Sequence, residues 1–182
     1  FADAILDDVR GFIGGAPLVD DITLLVIELV RDEAIDLIKN AKRLISSHKY
    51  QEAIEVLEKG LKQYPDNQKI LYNLAKNHFR VNDYGKAIRS IETYTAADTM
   101  NKNAYYIGGA AHYQLGDFDI AIEYFEKALV LDPNFVNALF AIGMAYKKKG
   151  DVENARQAFE RVVSIDPDNR MAMFQIRSME GI

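Results

Sequence analysis

The side chains able to make or break bonds are few in this sequence and stand far apart. It has no cysteine, which removes thiol nucleophiles, disulfides and zinc fingers. Asp20 and Asp21 are neighbouring carboxylates of the kind that hold hard divalent cations through oxygen. Two adjacent side chains cannot build a two-metal site alone, and the pair also suits a turn and a helix cap. The histidines are His48, His78 and His112. The last two lie 34 residues apart on a face that reads as packed, so they are expected to be packing residues, not metal ligands. Gly14-Gly15 lacks the Gly-Lys-Ser/Thr that would complete a phosphate loop. Nothing in residues 34–182 pairs a nucleophile with a base. No catalysis, and no cofactor, is expected of this chain.

Charge and hydropathy narrow the remaining classes. The net charge of −5 over 182 residues is unevenly placed. Residues 1–33 hold eight acids against two bases, leaving nineteen acids against twenty bases in residues 34–182. The larger part is thus near neutral, without the strongly basic face of a nucleic-acid binder. No run of eighteen apolar residues exists to span a membrane as a helix; the longest stretch, Ile22 to Val30, contains Glu28. The absence of cysteine fits a reducing compartment, so a cytoplasmic location is expected. The chain begins at Phe1 and reads as a piece of a longer protein.

The elements that carry the remaining side chains repeat. Ala53, Ala87, Ala121 and Ala155 are spaced by 34 residues, as are Leu57, Ile91, Phe125 and Phe159. Tyr50, Tyr84, Phe118 and Val152 share the grid, and so do Pro65, Pro133 and Pro167, with Thr99 in the skipped place. Four units follow, 34–67, 68–101, 102–135 and 136–169. Each reads as two helices. In the third, Tyr105, Gly109 and His112 form one face, Gly116-Asp117 ends that helix, and Ala121, Tyr124, Phe125, Ala128 and Leu129 form the next face up to Asp132-Pro133. Ala75, Gly109 and Gly143 would let paired helices approach closely, and neighbouring units must stack to cover their apolar faces.

This pattern resembles the tetratricopeptide repeat family. Units three and four carry it best, through Tyr105, Gly109, Phe118, Ala121, Phe125, Ala128 and Pro133, and through Leu139, Ile142-Gly143, Tyr146, Ala155, Phe159 and Pro167. Unit two departs at Tyr94 and Thr99, and unit one at Asn40. The resemblance implies an all-α fold, a helix-turn-helix superhelix of four repeats, with residues 170–182 as a capping helix.

The resemblance also implies that the first helix of each unit lines a concave groove. The groove positions are then Lys69, Tyr72, Lys76, Phe79 and Arg80; Asn103, Tyr106, Ala110, Tyr113 and Gln114; and Asn137, Phe140, Met144, Lys147 and Lys148. No acid occurs among these fifteen. Such a groove suits a protein or peptide with apolar anchors and acidic flanks. Tyr72, Tyr106, Tyr113 and Phe140 would anchor it, and Lys76, Arg80, Lys147 and Lys148 would supply charge. Lys147-Lys148-Lys149 also complements a helix C-terminus whatever binds. The family's clamp for chaperone tails is matched in part by Lys42, Asn73 and Asn103, but Ile38 and Ile107 replace its polar residues, so tail binding is not expected.

Residues 1–33 break the repeat. Phe1, Ile5, Leu6, Val9, Phe12 and Ile13 suggest a short amphipathic helix, and Ile22 to Val30 a buried strand. The string Phe12…Gly14-Gly15-Ala16-Pro17…Asp20-Asp21-Ile22-Thr23-Leu24-Leu25 resembles the C-terminal end of bacterial metal-dependent serine/threonine phosphatases of the PPM superfamily, in the branch that controls sporulation and stress-response regulators. In that family an aspartate matched by Asp20 helps hold a manganese or magnesium pair. Cut from its sheet, the run 22–30 is expected to become helical and merge with the first repeat helix, or to pair with another copy of the chain.

The leading expectation is a protein-interaction scaffold in a bacterial, phosphatase-linked signalling regulator. The alternatives are a part of a metal-dependent phosphatase whose catalytic domain lies mostly upstream, and a self-assembly module.

Overall fold

The computed structural model of the chain describes residues 34–97 and 100–179. The readings made on residues 1–33, on Thr99 and on the last three residues of the capping segment lie outside them. Among the described residues the regular structure is entirely helical, with nine helices joined by short turns. They divide into two compact units, one ending at Pro65 and one beginning at Asp66.

In the first unit, α1 (34–46) is followed by α2 (Tyr50–Gln63). Ala34, Ile38 and Ala41, at helical spacing, are buried on α1, and Ala53, Ile54, Leu57 and Gly60 on α2.

The second unit holds α3 (Gln68–Arg80), α4 (Tyr84–Ala97), α5 (Lys102–Leu115), α6 (Phe118–Leu131), α7 (Val136–Lys149), α8 (Val152–Ile165) and α9 (Arg170–Met179). Each helix packs mainly on the next, and the first helices of successive pairs also touch, α3 with α5 and α5 with α7. Buried Ala121, Phe125, Ala128, Ala138 and Ile142 join α6 to α7, and Leu139, Phe159, Val162 and Ala172 join α7, α8 and α9.

One turn recurs in the four described helix pairs. His48, Asn82, Gly116 and Gly150 all have positive φ, at 59°, 61°, 89° and 80°, and are 34 residues apart. At each, the next residue's amide reaches back across the turn: Lys49 to the Leu44 carbonyl (2.9 Å), Asp83 to His78 (2.8 Å), Asp117 to His112 (3.0 Å) and Asp151 to Tyr146 (2.9 Å). This satisfies carbonyls that the helix end would leave orphaned. It reverses the chain in a fixed geometry, so the two helices of each pair lie side by side.

Glycine sets how close they lie. A Cβ at Gly109 would fall 2.7 Å from the Phe125 ring, and one at Gly143 2.7 Å from Phe159. Gly108 stands under Tyr124 in the same way, also at 2.7 Å. Helix starts are held by asparagines on the same grid. Asn67 accepts from the Ile70 amide (3.1 Å), Asn101 from Asn103 and Ala104 (3.0 and 3.3 Å), and Asn169 from Ala172 (3.1 Å).

Candidate functional site

The first helices α3, α5 and α7 bring their outward residues around an open concavity of about 240 Å³ in the second unit. Phe79 comes from α3, Tyr106, Ala110, Tyr113 and Gln114 from α5, and Phe140, Ala141 and Met144 from α7. Phe125 of α6 forms the rest of the lining. Seven of these nine residues are groove positions expected from the sequence. Phe125 and Ala141 are additions: Phe125 reads as core from its place on the repeat grid, and nothing in a periodic pattern distinguishes a core ring that also shows an edge to a cleft.

The rings are half-buried and braced, not a free-standing exposed row. Tyr106 packs against Phe125 and Phe135 with ring centres 5.6 and 5.5 Å apart, and Phe140 against Phe159 at 5.3 Å. Phe79 meets Tyr84 at 5.5 Å, and Tyr113 meets Phe118 at 5.4 Å. Tyr72, outside the concavity, leans on Tyr94 at 5.5 Å. Tyr94 fills a place where a small residue is usual, and its hydroxyl accepts from Asn101 Nδ2 at 3.0 Å. Burial raises the pKa of Tyr72, Tyr106 and Tyr113, with Tyr94 adding to the effect on Tyr72. Like an unperturbed tyrosine they are protonated at neutral pH, so their hydroxyls can donate. Rings fixed by their neighbours lose little rotamer freedom when something binds, which favours affinity.

The basic residues are arranged less uniformly. Lys76 lies over the Tyr72 ring, 5.5 Å from its centre, and Lys69, Arg80 and Lys148 are exposed. Lys147 turns towards α9, donating to Gln175 Oε1 at 2.7 Å and Ser178 Oγ at 3.0 Å. Sequence reasoning missed that link because a repeat pattern assigns positions within a unit, and these partners lie 28 and 31 residues away in the segment beyond the last unit. Lys149 pairs with Asp119, and Lys102 with Asp132 at 2.5 Å.

His78 and His112 are both buried against the turn that follows their helix. His112 stacks on Tyr124, with ring centres 5.3 Å apart, and places Nδ1 3.3 Å from Asp117 Oδ2. His78 Nδ1 is 4.0 Å from Asp83 Oδ2. Burial works against the Asp83 charge, but the Lys86 amide and ammonium, and then His78, outweigh it and lower its pKa. These are turn-fixing roles. Among the described residues no group of three His, Cys, Asp or Glu is placed to hold a metal ion. No helix among them is long and apolar enough to cross a membrane.

Two sequence models of the tetratricopeptide repeat match adjoining stretches of the chain, one over residues 44–107 and one over 108–170. The chain belongs to the tetratricopeptide repeat family. No curated protein matches its sequence. Solved tetratricopeptide structures do match its fold. A crystal structure of MamA superposes with a TM-score of 0.75 at 27% identity, covering 78% of this chain and 83% of that one. A second MamA crystal structure gives 0.78 at 25% identity, covering 81% of each. The first tetratricopeptide domain of Spaghetti (RPAP3), solved with an HSP90 peptide, shares the fold at a TM-score of 0.60 and 23% identity, over 63% of this chain and 90% of that one. A tetratricopeptide chain of this kind is a protein-interaction fold, and α3, α5 and α7 are the helices that line its concavity.

Proposed function

We propose that this chain is the protein-interaction module of a larger cytoplasmic regulator, and that the concavity of its second unit takes a protein segment with apolar anchors and acidic flanks. The observation that carries this reading is the convergence of Phe79, Tyr106, Tyr113 and Phe140, from three different helices, on one open cleft. Braced aromatics at the centre of a concave surface are the usual source of binding energy at protein interfaces. The fifteen groove positions include no acid, while the chain as a whole carries −5. Lys69, Lys76, Arg80 and Lys148 would act mainly on association rate and choice of partner. That a module of the same fold holds a peptide shows what the architecture can accommodate, not which peptide this chain takes.

The test begins with a binder captured from cell extract and identified. Tyr106→Ala is expected to weaken its binding by about 2 kcal/mol, and Lys76→Glu to slow association, while Glu123→Ala on the exposed side of α6 has no effect. Equal losses in all three variants would move the interface away from the concavity and favour self-assembly. Melting curves of each variant separate lost contacts from lost fold.

A second reading concerns the parent protein. The motif from Phe12 to Leu25 supports a bacterial serine/threonine phosphatase domain ending where the repeats begin. A complete domain of that family uses manganese or magnesium, and here Asp20 and Asp21 supply only the matching pair of carboxylates. The chain alone is therefore expected to hydrolyse no phosphoserine peptide with manganese present. Turnover abolished by Asp20→Ala would refute that expectation.

A further inference from the structure

The repeat grid continues past the last complete helix pair. Helix α9 occupies the place of the first helix in a further unit. Its Ala172 stands where Ile70, Ala104 and Ala138 stand, and all four are fully buried. Its Phe174 stands where Tyr72, Tyr106 and Phe140 stand. Each of those three rings leans on a ring of its own unit's second helix, Tyr94, Phe125 and Phe159 respectively. Among the described residues no ring supports Phe174 in this way: it is 64% exposed, and Met171 beside it is 61% exposed. At the small-residue position, held by Ala75, Gly109 and Gly143, α9 carries Arg177. A Cβ at Gly109 or Gly143 would fall 2.7 Å from the Phe125 or Phe159 ring of the following helix, so α9, with a long charged side chain at this place, departs from the small-residue pattern by which the other pairs close.

Helix α9 is also continuous with the concavity in chemistry. Arg170–Met179 contains two arginines and no acid. Lys147, itself a groove position, bonds to Ser178, which falls at the position of Lys76, Ala110 and Met144 in the other first helices. Methionine adapts its shape to a partner more readily than branched residues do.

We propose that the docking surface extends onto α9, where Phe174 and Met171 form a terminal subsite for an apolar side chain of the same acidic segment. This rests on the reading of the concavity as a protein-binding groove. A second copy of the chain is the weaker occupant. Twofold pairing of α9 with itself would bring Arg170 and Arg177 of both copies together, and like charges across an interface oppose association.

The test uses the full chain and a fluorescein-labelled acidic peptide of about twenty residues, rich in glutamate, with leucine or phenylalanine at helical spacing. Binding is read by anisotropy at low and high salt. Wild type is expected to bind, Met144→Glu to lose binding, and Phe174→Ala to weaken it about tenfold with an unchanged melting temperature. Arg177→Glu should weaken it at low salt more than at high salt. If Met144→Glu abolishes binding while Phe174→Ala and Arg177→Glu match wild type, the surface ends at α7; the subsite is then wrong and the groove reading stands. If the peptide fails to bind wild type, or binds Met144→Glu equally well, both fall together. A concentration-dependent dimer in sedimentation that Phe174→Ala dissolves would make a second copy the occupant and overturn the proposal.

Discussion

Two kinds of glycine do different work at the residue scale. Gly116 has positive φ and nothing within 4 Å of where a Cβ would stand, so its requirement is purely conformational. Gly109 needs space, with Phe125 2.7 Å and the Ala121 carbonyl 3.0 Å from the missing Cβ. Gly116→Ala should cost about 1–2 kcal/mol from the left-handed backbone alone, and Gly109→Ala about 1–3 kcal/mol from overpacking. The two costs are separated by introducing Phe125→Leu. Trimming the ring should reduce the cost of Gly109→Ala and leave that of Gly116→Ala unchanged, as read by denaturant unfolding. Equal coupling of both to Phe125 would contradict the geometry. The same turn tolerates His48 and Asn82 where a hydroxyl stands two residues on. Tyr84 donates to Asn82 Oδ1 at 2.8 Å, and the Tyr50 hydroxyl lies 3.0 Å from His48 Nδ1. Where the repeat has Phe118 or Val152 instead, the turn residue is glycine.

At the scale of elements, helix ends explain both what the sequence revealed and what it hid. Gly116-Asp117 and Asp132-Pro133 mark boundaries because each acts on its own backbone, so the α5–α6 and α6–α7 turns were legible from neighbours in sequence. The partner of Lys102 was not: it begins α5, and its ammonium reaches Asp132 at the end of α6, thirty residues on. Lys147 escaped for the same reason, since its partners sit on α9. The Asp132 pKa is lowered first by the Lys102 hydrogen bond and then by the Asn134 amide. A carboxylate with a lowered folded pKa stabilises the fold above its ordinary value of about 4, and that contribution is lost as pH falls through the folded value. Lys102→Met should lower Tm at pH 7, and its gap from wild type should narrow as the solution is acidified below about pH 4. The cation–π contact of Lys102 with Phe135, at 4.9 Å, does not titrate there and should leave a constant remainder. A gap that stays the same at all pH values would show that the ion pair contributes nothing.

For the molecule as a whole, consider what it means that the second unit is held mainly by contacts between successive helices and between alternate first helices. Among the described residues its contacts run from neighbour to neighbour, so stability there should be close to a sum of local pairings, and damage should stay near its source. Phe159 is the sharpest probe. Its side chain is fully buried on α8, sits against Gly143 of α7, and shares a cluster with Ala172 of α9. Phe159→Ala should cost about 3–5 kcal/mol, the usual loss when a buried ring is deleted. In a fold with one shared core that loss would lower protection from hydrogen exchange everywhere. Here the amides of α7, α8 and α9 should exchange much faster, those of α5 and α6 somewhat faster, and those of α3 and α4 nearly as in wild type. Hydrogen exchange read by mass spectrometry on fragments from each helix distinguishes the two patterns. A uniform loss across α3 to α9 would mean that the second unit unfolds as one cooperative block, and that the concavity between α3 and α7 is stiffer than a chain of neighbouring pairs can make it.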